Sequence, residues 1–183
     1  MNLPNSLTVA RVIMVPFFIA AYYLDYFILA MLIFIVAALT DLLDGKIARK
    51  QNIVTNFGKI MDPLADKILT YSAFCMFIGD NVIPAWILIV VLAREFVVSG
   101  IRTVAASEGK VIAAAFSGKL KTVFQMIAIP ALLHLEAVPI NMPIAHTLIL
   151  WIANITLYVS VALTIYSGIE YVVKNKDVFK GKK

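Results

Sequence analysis

The chain has 183 residues, 62% of them hydrophobic, with a formal net charge of +5 and a mean hydropathy of +0.92. Soluble domains are nearer ~45–50% apolar, so the composition excludes an ordinary soluble protein and predicts an all-α integral membrane protein, one domain over residues 1–183. No soluble basic segment exists to carry nucleic acid; the positive charge suits anionic membrane lipid instead.

Apolar runs fall near residues 7–24, 27–43, 63–79, 82–101, 112–134 and 144–173. Each approaches the roughly 20 residues that cross a bilayer core as a helix, which predicts six transmembrane helices. The first, in "MNLPNSLTVARVIMVPFF", has no basic leader and no clear small-residue cleavage site, and reads as a retained span. Breaks come at Asp25, across 41–67, at "GDNVIP", at "ASEGK" and at "EAVPINMP". Several of these hold the Gly, Pro and Asn of turns. Cys75, the one cysteine, reads as a small packing residue of the third run. The sixth run is long enough to tilt or to project beyond the lipid.

All 16 Lys and Arg residues lie near the N-terminal end, in the connections between spans two and three and between spans four and five or in the halves of the spans that flank them, or after span six. The opposite loops, around Asp25, Asp80 and Glu136, carry none. The positive-inside rule places both termini and the 41–67 segment in the cytoplasm of a multi-pass plasma-membrane protein.

Four aspartates sit at that cytoplasmic corner. Asp41 and Asp44 are three apart, Asp62 and Asp66 four apart, and on helices each pair shares a face. Four like charges in a partly dry site repel. A divalent cation relieves this, and all-oxygen ligands suit magnesium or manganese. The spacing alone also permits a charged boundary without metal, although an aspartate at mid-bilayer costs ~2.5–3.5 kcal/mol on insertion scales. Gly45 and Gly58 read alone as helix ends or turns, and Ala48 as packing. Arg49 suits a phosphate or an aspartate partner. Pro63 either opens its helix or kinks it.

The segment "DLLDGKIARKQNIVTNFGKIMDPLAD" fits D-x-x-D-G-x-x-A-R-x8-G-x-x-x-D-x-x-x-D at every fixed position: Asp41, Asp44, Gly45, Ala48, Arg49, Gly58, Asp62 and Asp66. It resembles the signature of the CDP-alcohol phosphotransferases. The wider chain, through "NLPNSLTVAR", "AREFVVSGIR", "GKLKT" and "SGIEY", is similar to the bacterial phosphatidylglycerophosphate synthase branch. The resemblance implies a six-helix membrane enzyme, a homodimer, with a cytoplasmic site for two Mg2+ or Mn2+ ions. It implies that Asp41, Asp44, Asp62 and Asp66 hold the metals and that Asp66 is the general base. Asp44, Gly45, Ala48, Arg49 and Gly58 would form the nucleotide pocket, with CDP-diacylglycerol as donor and sn-glycerol 3-phosphate as acceptor.

A second basic set, Arg94, Arg102, Lys119 and Lys121, flanks the loop between spans four and five. Arg suits bidentate phosphate recognition and Lys adds point charge. Arg94 lies in an apolar run, so it needs a partner, and Glu95 is the candidate. Thr8 and Arg11 either reach the same pocket or cap a helix and snorkel to the surface. Glu170 and Tyr171 have no evident chemical role. Inositol phosphate, inositol or phosphatidylglycerol are alternative acceptors. A divalent-cation transporter is the rival from another class, opposed by acids that cluster on one side rather than along a path across the bilayer.

Overall fold

The computed structural model describes residues 3–51, 56–110, 112–113, 115–138 and 143–180. The side chains of 41–51, 56–60, 62, 63 and 66, and a few at segment ends, lie outside the described set. Among the described residues there are six α-helices and no strand: α1 Leu3–Tyr23, α2 Phe27–Gln51, α3 Asn56–Gly79, α4 Ala85–Ser107, α5 Phe116–Ala137 and α6 Pro143–Lys174. A 3-10 turn, Lys176–Lys180, follows.

The helices match the six apolar runs but outgrow two of them. The 41–67 stretch was expected to break the chain, yet α2 continues to Gln51 and α3 already begins at Asn56. Its Leu, Ala, Lys and Arg residues favour helix, so polarity ends the apolar run without ending the helix. Pro63, eighth in α3, is therefore internal rather than in the first turn.

Tight turns mark the breaks at Asp25, at "GDNVIP" and at "ASEGK"; the break at "EAVPINMP" includes residues 139–142, outside the described set. Asp25 and Asn81 both take φ of 60°, a left-handed conformation that Asn and Asp tolerate. At the end of α4, Gly109 has φ 74° and the Lys110 N–H donates to the Ala105 carbonyl at 2.9 Å, the bond pattern of a glycine-terminated helix.

Ser6–Tyr23, Phe116–Ala137 and Ile144–Lys174 are long and apolar enough to cross a membrane among the described residues. The apolar parts of α2 and α3, Phe27–Thr40 and Lys67–Gly79, are shorter, and α4 carries Arg94, Glu95 and Arg102 within its length. The 32 residues of α6 rise about 48 Å, beyond the roughly 30 Å of a bilayer core.

Packing runs α4–α6–α5–α2–α1–α3 and returns from α3 to α4 through few contacts. The main core takes Phe18 and Tyr22 from α1, Phe34 from α2, Phe74 and Phe77 from α3, Ile87 and Val91 from α4, Ile129 and Leu133 from α5, and Leu157 from α6. In each helix these residues occupy the half farther from the Lys and Arg side chains. Tyr22 meets Phe27 and Phe77 edge-on, with ring centroids 5.2 and 6.0 Å apart. The outer surface is apolar too: Phe17, Leu32, Ile89, Phe96, Trp151 and Ile155 are all exposed, as lipid contact requires. Cys75 is exposed rather than packed. It lies on the outward stripe of α3 with Leu64 and Ile68, which no neighbouring helix covers.

Candidate active site

The helices alternate in direction, so the start of α1, the end of α2, the start of α3, the end of α4, the start of α5 and the end of α6 meet at one end. Both aspartate pairs lie there, Asp41 and Asp44 on α2 and Asp62 and Asp66 on α3. Continuous helix through both segments keeps each pair on one helical face. Gly45, Ala48 and Arg49 accompany the first pair and Gly58 the second, with side chains outside the described residues. Gly45 is inside α2 rather than at a turn, whereas Gly58 is the third residue of α3, at a helix end as its type suggests. A mid-helix glycine costs roughly 0.5–1 kcal/mol relative to alanine, so close approach by another molecule explains Gly45 better than chain reversal does.

Among the described residues no group of three or more His, Cys, Asp or Glu could hold a metal. The aspartate set fits one by its chemistry: four hard oxygen-bearing residues, two on each of two helices that reach the same end.

The basic residues converge on a single carboxylate. Glu95, on α4 with its side chain 12% exposed, accepts from Arg94 Nη1 at 3.0 Å and from Lys121 Nζ through Oε1. Its Oε2 pairs with Lys67 Nζ at 2.6 Å. One acidic side chain thus ties α3, α4 and α5 together. Acids were expected to keep out of the middles of spans; Glu95 sits midway along α4 because three cations neutralise it.

Arg94 is held on its other side by α6 and α5. Its Nε donates to the Ser167 hydroxyl at 3.2 Å. A Cβ at Gly118 would lie 2.7 Å from its Nη2, and one at Gly168 3.1 Å from its Cγ. Two helices therefore carry glycine where the arginine passes. Arg102 Nε donates to the Tyr171 hydroxyl at 3.1 Å, with its guanidinium carbon 5.6 Å from the ring centroid. Glu170 accepts from Ser117 and from Lys174, both at 2.6 Å. The two "SGIEY" residues without an evident role thus fasten α6 to α4 and α5.

Of the anticipated acceptor residues, the structure brings Arg94 and Lys121 together and sets Arg102 on the same α4–α6 seam. Lys119 is exposed and does not join them; two residues from Lys121, it lies on a different face of α5. Thr8 and Arg11 are 0% and 2% exposed, each with an interaction partner. Burial removes the snorkelling reading of Arg11, and Thr8, sixth in α1, is too deep to cap it. Lys67 and Ser167 were not anticipated. Lys67 had a readable signal: it opens the third apolar run and needs a counter-charge, and Glu95 is the carboxylate embedded in the next.

The family model for CDP-alcohol phosphatidyltransferases matches residues 1–166. The chain belongs to this family. A Bacillus subtilis (strain 168) protein named CDP-diacylglycerol–glycerol-3-phosphate 3-phosphatidyltransferase is 39% identical over 197 aligned positions, covering 98% of this chain and 97% of its own length. Proteins of the same name from Haemophilus influenzae (38% identical, 93% of this chain and 91% of their own) and Rickettsia felis (37% identical, 97% of each) are also similar. The matched range includes both aspartate pairs and Lys67, Arg94, Glu95 and Lys121.

The glycines give a matched test. Gly118→Ala should displace the Arg94 guanidinium, the far end of a side chain, and lower stability by about 1 kcal/mol, the low end of the usual cost of overpacking. Gly100→Ala, in α4 with nothing within 4 Å of the added Cβ, should stabilise by roughly 0.5–1 kcal/mol. Thermal unfolding of detergent-purified variants measures both. Equal effects would show that Arg94 is not confined at Gly118.

Proposed function

We propose that this chain transfers the phosphatidyl group of CDP-diacylglycerol to sn-glycerol 3-phosphate, giving phosphatidylglycerophosphate and CMP. The observation that carries this reading is similarity over nearly the whole chain to relatives named for that transfer. The basic cluster at the same end as the aspartates supports a phosphorylated acceptor.

The donor's acyl chains belong in the bilayer and its pyrophosphate at the interface. α2 and α3 carry the motif just beyond their apolar segments, Phe27–Thr40 and Lys67–Gly79, which suits a reaction at that boundary. Asp41, Asp44, Asp62 and Asp66 would hold two Mg2+ or Mn2+ ions, which when bound supply charge neutralisation at the pyrophosphate. Asp66 takes the proton of the acceptor hydroxyl. The hydroxyl oxygen bonds to the lipid-side phosphorus as the bond from that phosphorus to CMP breaks. Gly45, Ala48 and Gly58 leave room for the nucleotide beside Asp44, and Arg49 adds positive charge there. Arg94, Arg102 and Lys121 hold the acceptor phosphate, with Arg11 and Thr8 buried on α1, which packs on α2 and α3. Positioning and charge stabilisation carry most of the rate in such transfers. The segregation of Lys and Arg supports a cytoplasmic site, six spans and cytoplasmic termini.

With Cys75 replaced, single cysteines at Asn52 and Asn141 should divide by side: an impermeant thiol reagent applied to intact cells reaches only the one at Asn141. The opposite pattern reverses the orientation. Asp66→Asn should reduce turnover by about 10²–10⁴-fold even at saturating metal, the usual contribution of a general base. Turnover near wild type under those conditions removes that role. Product analysis with an acceptor panel should show glycerol 3-phosphate preferred over glycerol and inositol phosphate. Arg102→Gln should raise the acceptor KM by about tenfold, the loss of one charge-assisted contact. Equal use of unphosphorylated glycerol overturns the assignment.

A further inference from the structure

We propose that Glu95 is a positioning residue that gathers Lys67, Arg94 and Lys121 into one anion pocket, and that Lys67 thereby belongs to the acceptor-phosphate site. This deepens the proposed function and rests on it for the identity of the acceptor.

The three cations come from three different helices, Lys67 from α3, Arg94 from α4 and Lys121 from α5, and all three meet the same carboxylate. Three positive charges against one negative leave a net of two. A phosphate monoester carries about −1.5 to −2 near neutral pH, so the set is matched to one such dianion. Without Glu95 the cations would repel one another in a poorly hydrated place: the Lys121 and Arg94 side chains are only 6% and 12% exposed. The carboxylate lets them stand together while leaving most of their charge unspent.

Their donors are also incompletely used. An ammonium has three N–H donors, and among the described residues Lys67 pairs with Glu95 Oε2 alone. Arg94 is fixed by Ser167 and by the passage between Gly118 and Gly168, so it provides a rigid wall. Lys67 is the accessible member, its side chain 32% exposed. It directly follows Asp66 in α3. A small phosphorylated alcohol held by Lys67 is therefore anchored on the same turn of α3 as the proposed base, on an adjacent face of the helix, which suits an acceptor with phosphate at one end and hydroxyl at the other. Arg102, fastened to Tyr171, lies on the α4–α6 side of this group.

The test uses the full chain in detergent micelles, with inorganic phosphate as the probe and thermal unfolding as the readout. Phosphate should stabilise the wild-type protein saturably. Lys67→Gln and Glu95→Gln should each weaken its apparent affinity by about tenfold or more, and Glu95→Asp should restore most of it. In turnover, the same two Gln variants should raise the glycerol 3-phosphate KM by about tenfold while the CDP-diacylglycerol KM moves less than about twofold. Phosphate binding indifferent to Lys67 overturns the inference even if glycerol 3-phosphate is the acceptor. Tighter phosphate binding by Glu95→Gln also overturns it, because Glu95 would then be a competitor for the pocket. Phosphate binding that needs Lys67 and Glu95, without any use of glycerol 3-phosphate, sinks the proposed substrate and leaves the pocket standing. Should Glu95→Gln fail to yield a monodisperse protein, Lys67→Gln and Glu95→Asp decide the matter.

Discussion

The charged end of this bundle depends on one carboxylate. The ring of helices closes through α3 and α4, where apolar contacts are few, and Glu95 closes it by binding Lys67 across that seam and Lys121 from α5. Its sequence neighbour Arg94 extends the link to α6. Breaking a buried charge pair by removing one partner typically costs about 3–5 kcal/mol, because the other charge is left uncompensated. Here three cations would be left. The same interaction sets the electrostatic character of this end, since it decides how much of the positive charge of Lys67, Arg94 and Lys121 is offset.

Much of the fold was legible because lipid imposes a simple rule. Every backbone group in the bilayer must be satisfied internally, so an apolar run of sufficient length becomes a helix. The six runs accordingly became α1–α6. The boundaries were less legible at 41–67, where hydropathy reports the edge of the lipid and helix propensity the edge of the helix. Asp41 to Gln51 is polar and helical at once. Cys75 was misjudged for a related reason: an apolar run does not say which of its faces meets lipid.

The site divides in the same way. The aspartate motif stands out by spacing and type, and it lies within the residues that the family model matches. Arg94 and its need for Glu95 were readable as a charge in an apolar setting. Lys119 was not separable from Lys121 by composition; only the rotation of α5 distinguishes an exposed lysine from one that is buried. Tyr171 and Glu170 were opaque for another reason: their partners, Arg102 and Ser117, are 69 and 53 residues away in sequence, and no local pattern announces such a pairing.

The division of the bundle along its length has a physical corollary. One half is held by interlocked aromatic and aliphatic side chains, which salt does not weaken. Among the described residues the other half combines a smaller apolar cluster, Val98, Ile101 and Tyr171, with ion pairs and hydroxyls, of which the exposed pairs Lys174–Glu170 and Lys110–Glu108 respond most to ionic strength. Local opening follows the weaker half, so fraying would begin at the mouth and stop at the layer of Phe18, Phe34, Phe74 and Phe77. In this grading the charged end can open locally while the aromatic layer keeps the rest of the bundle closed.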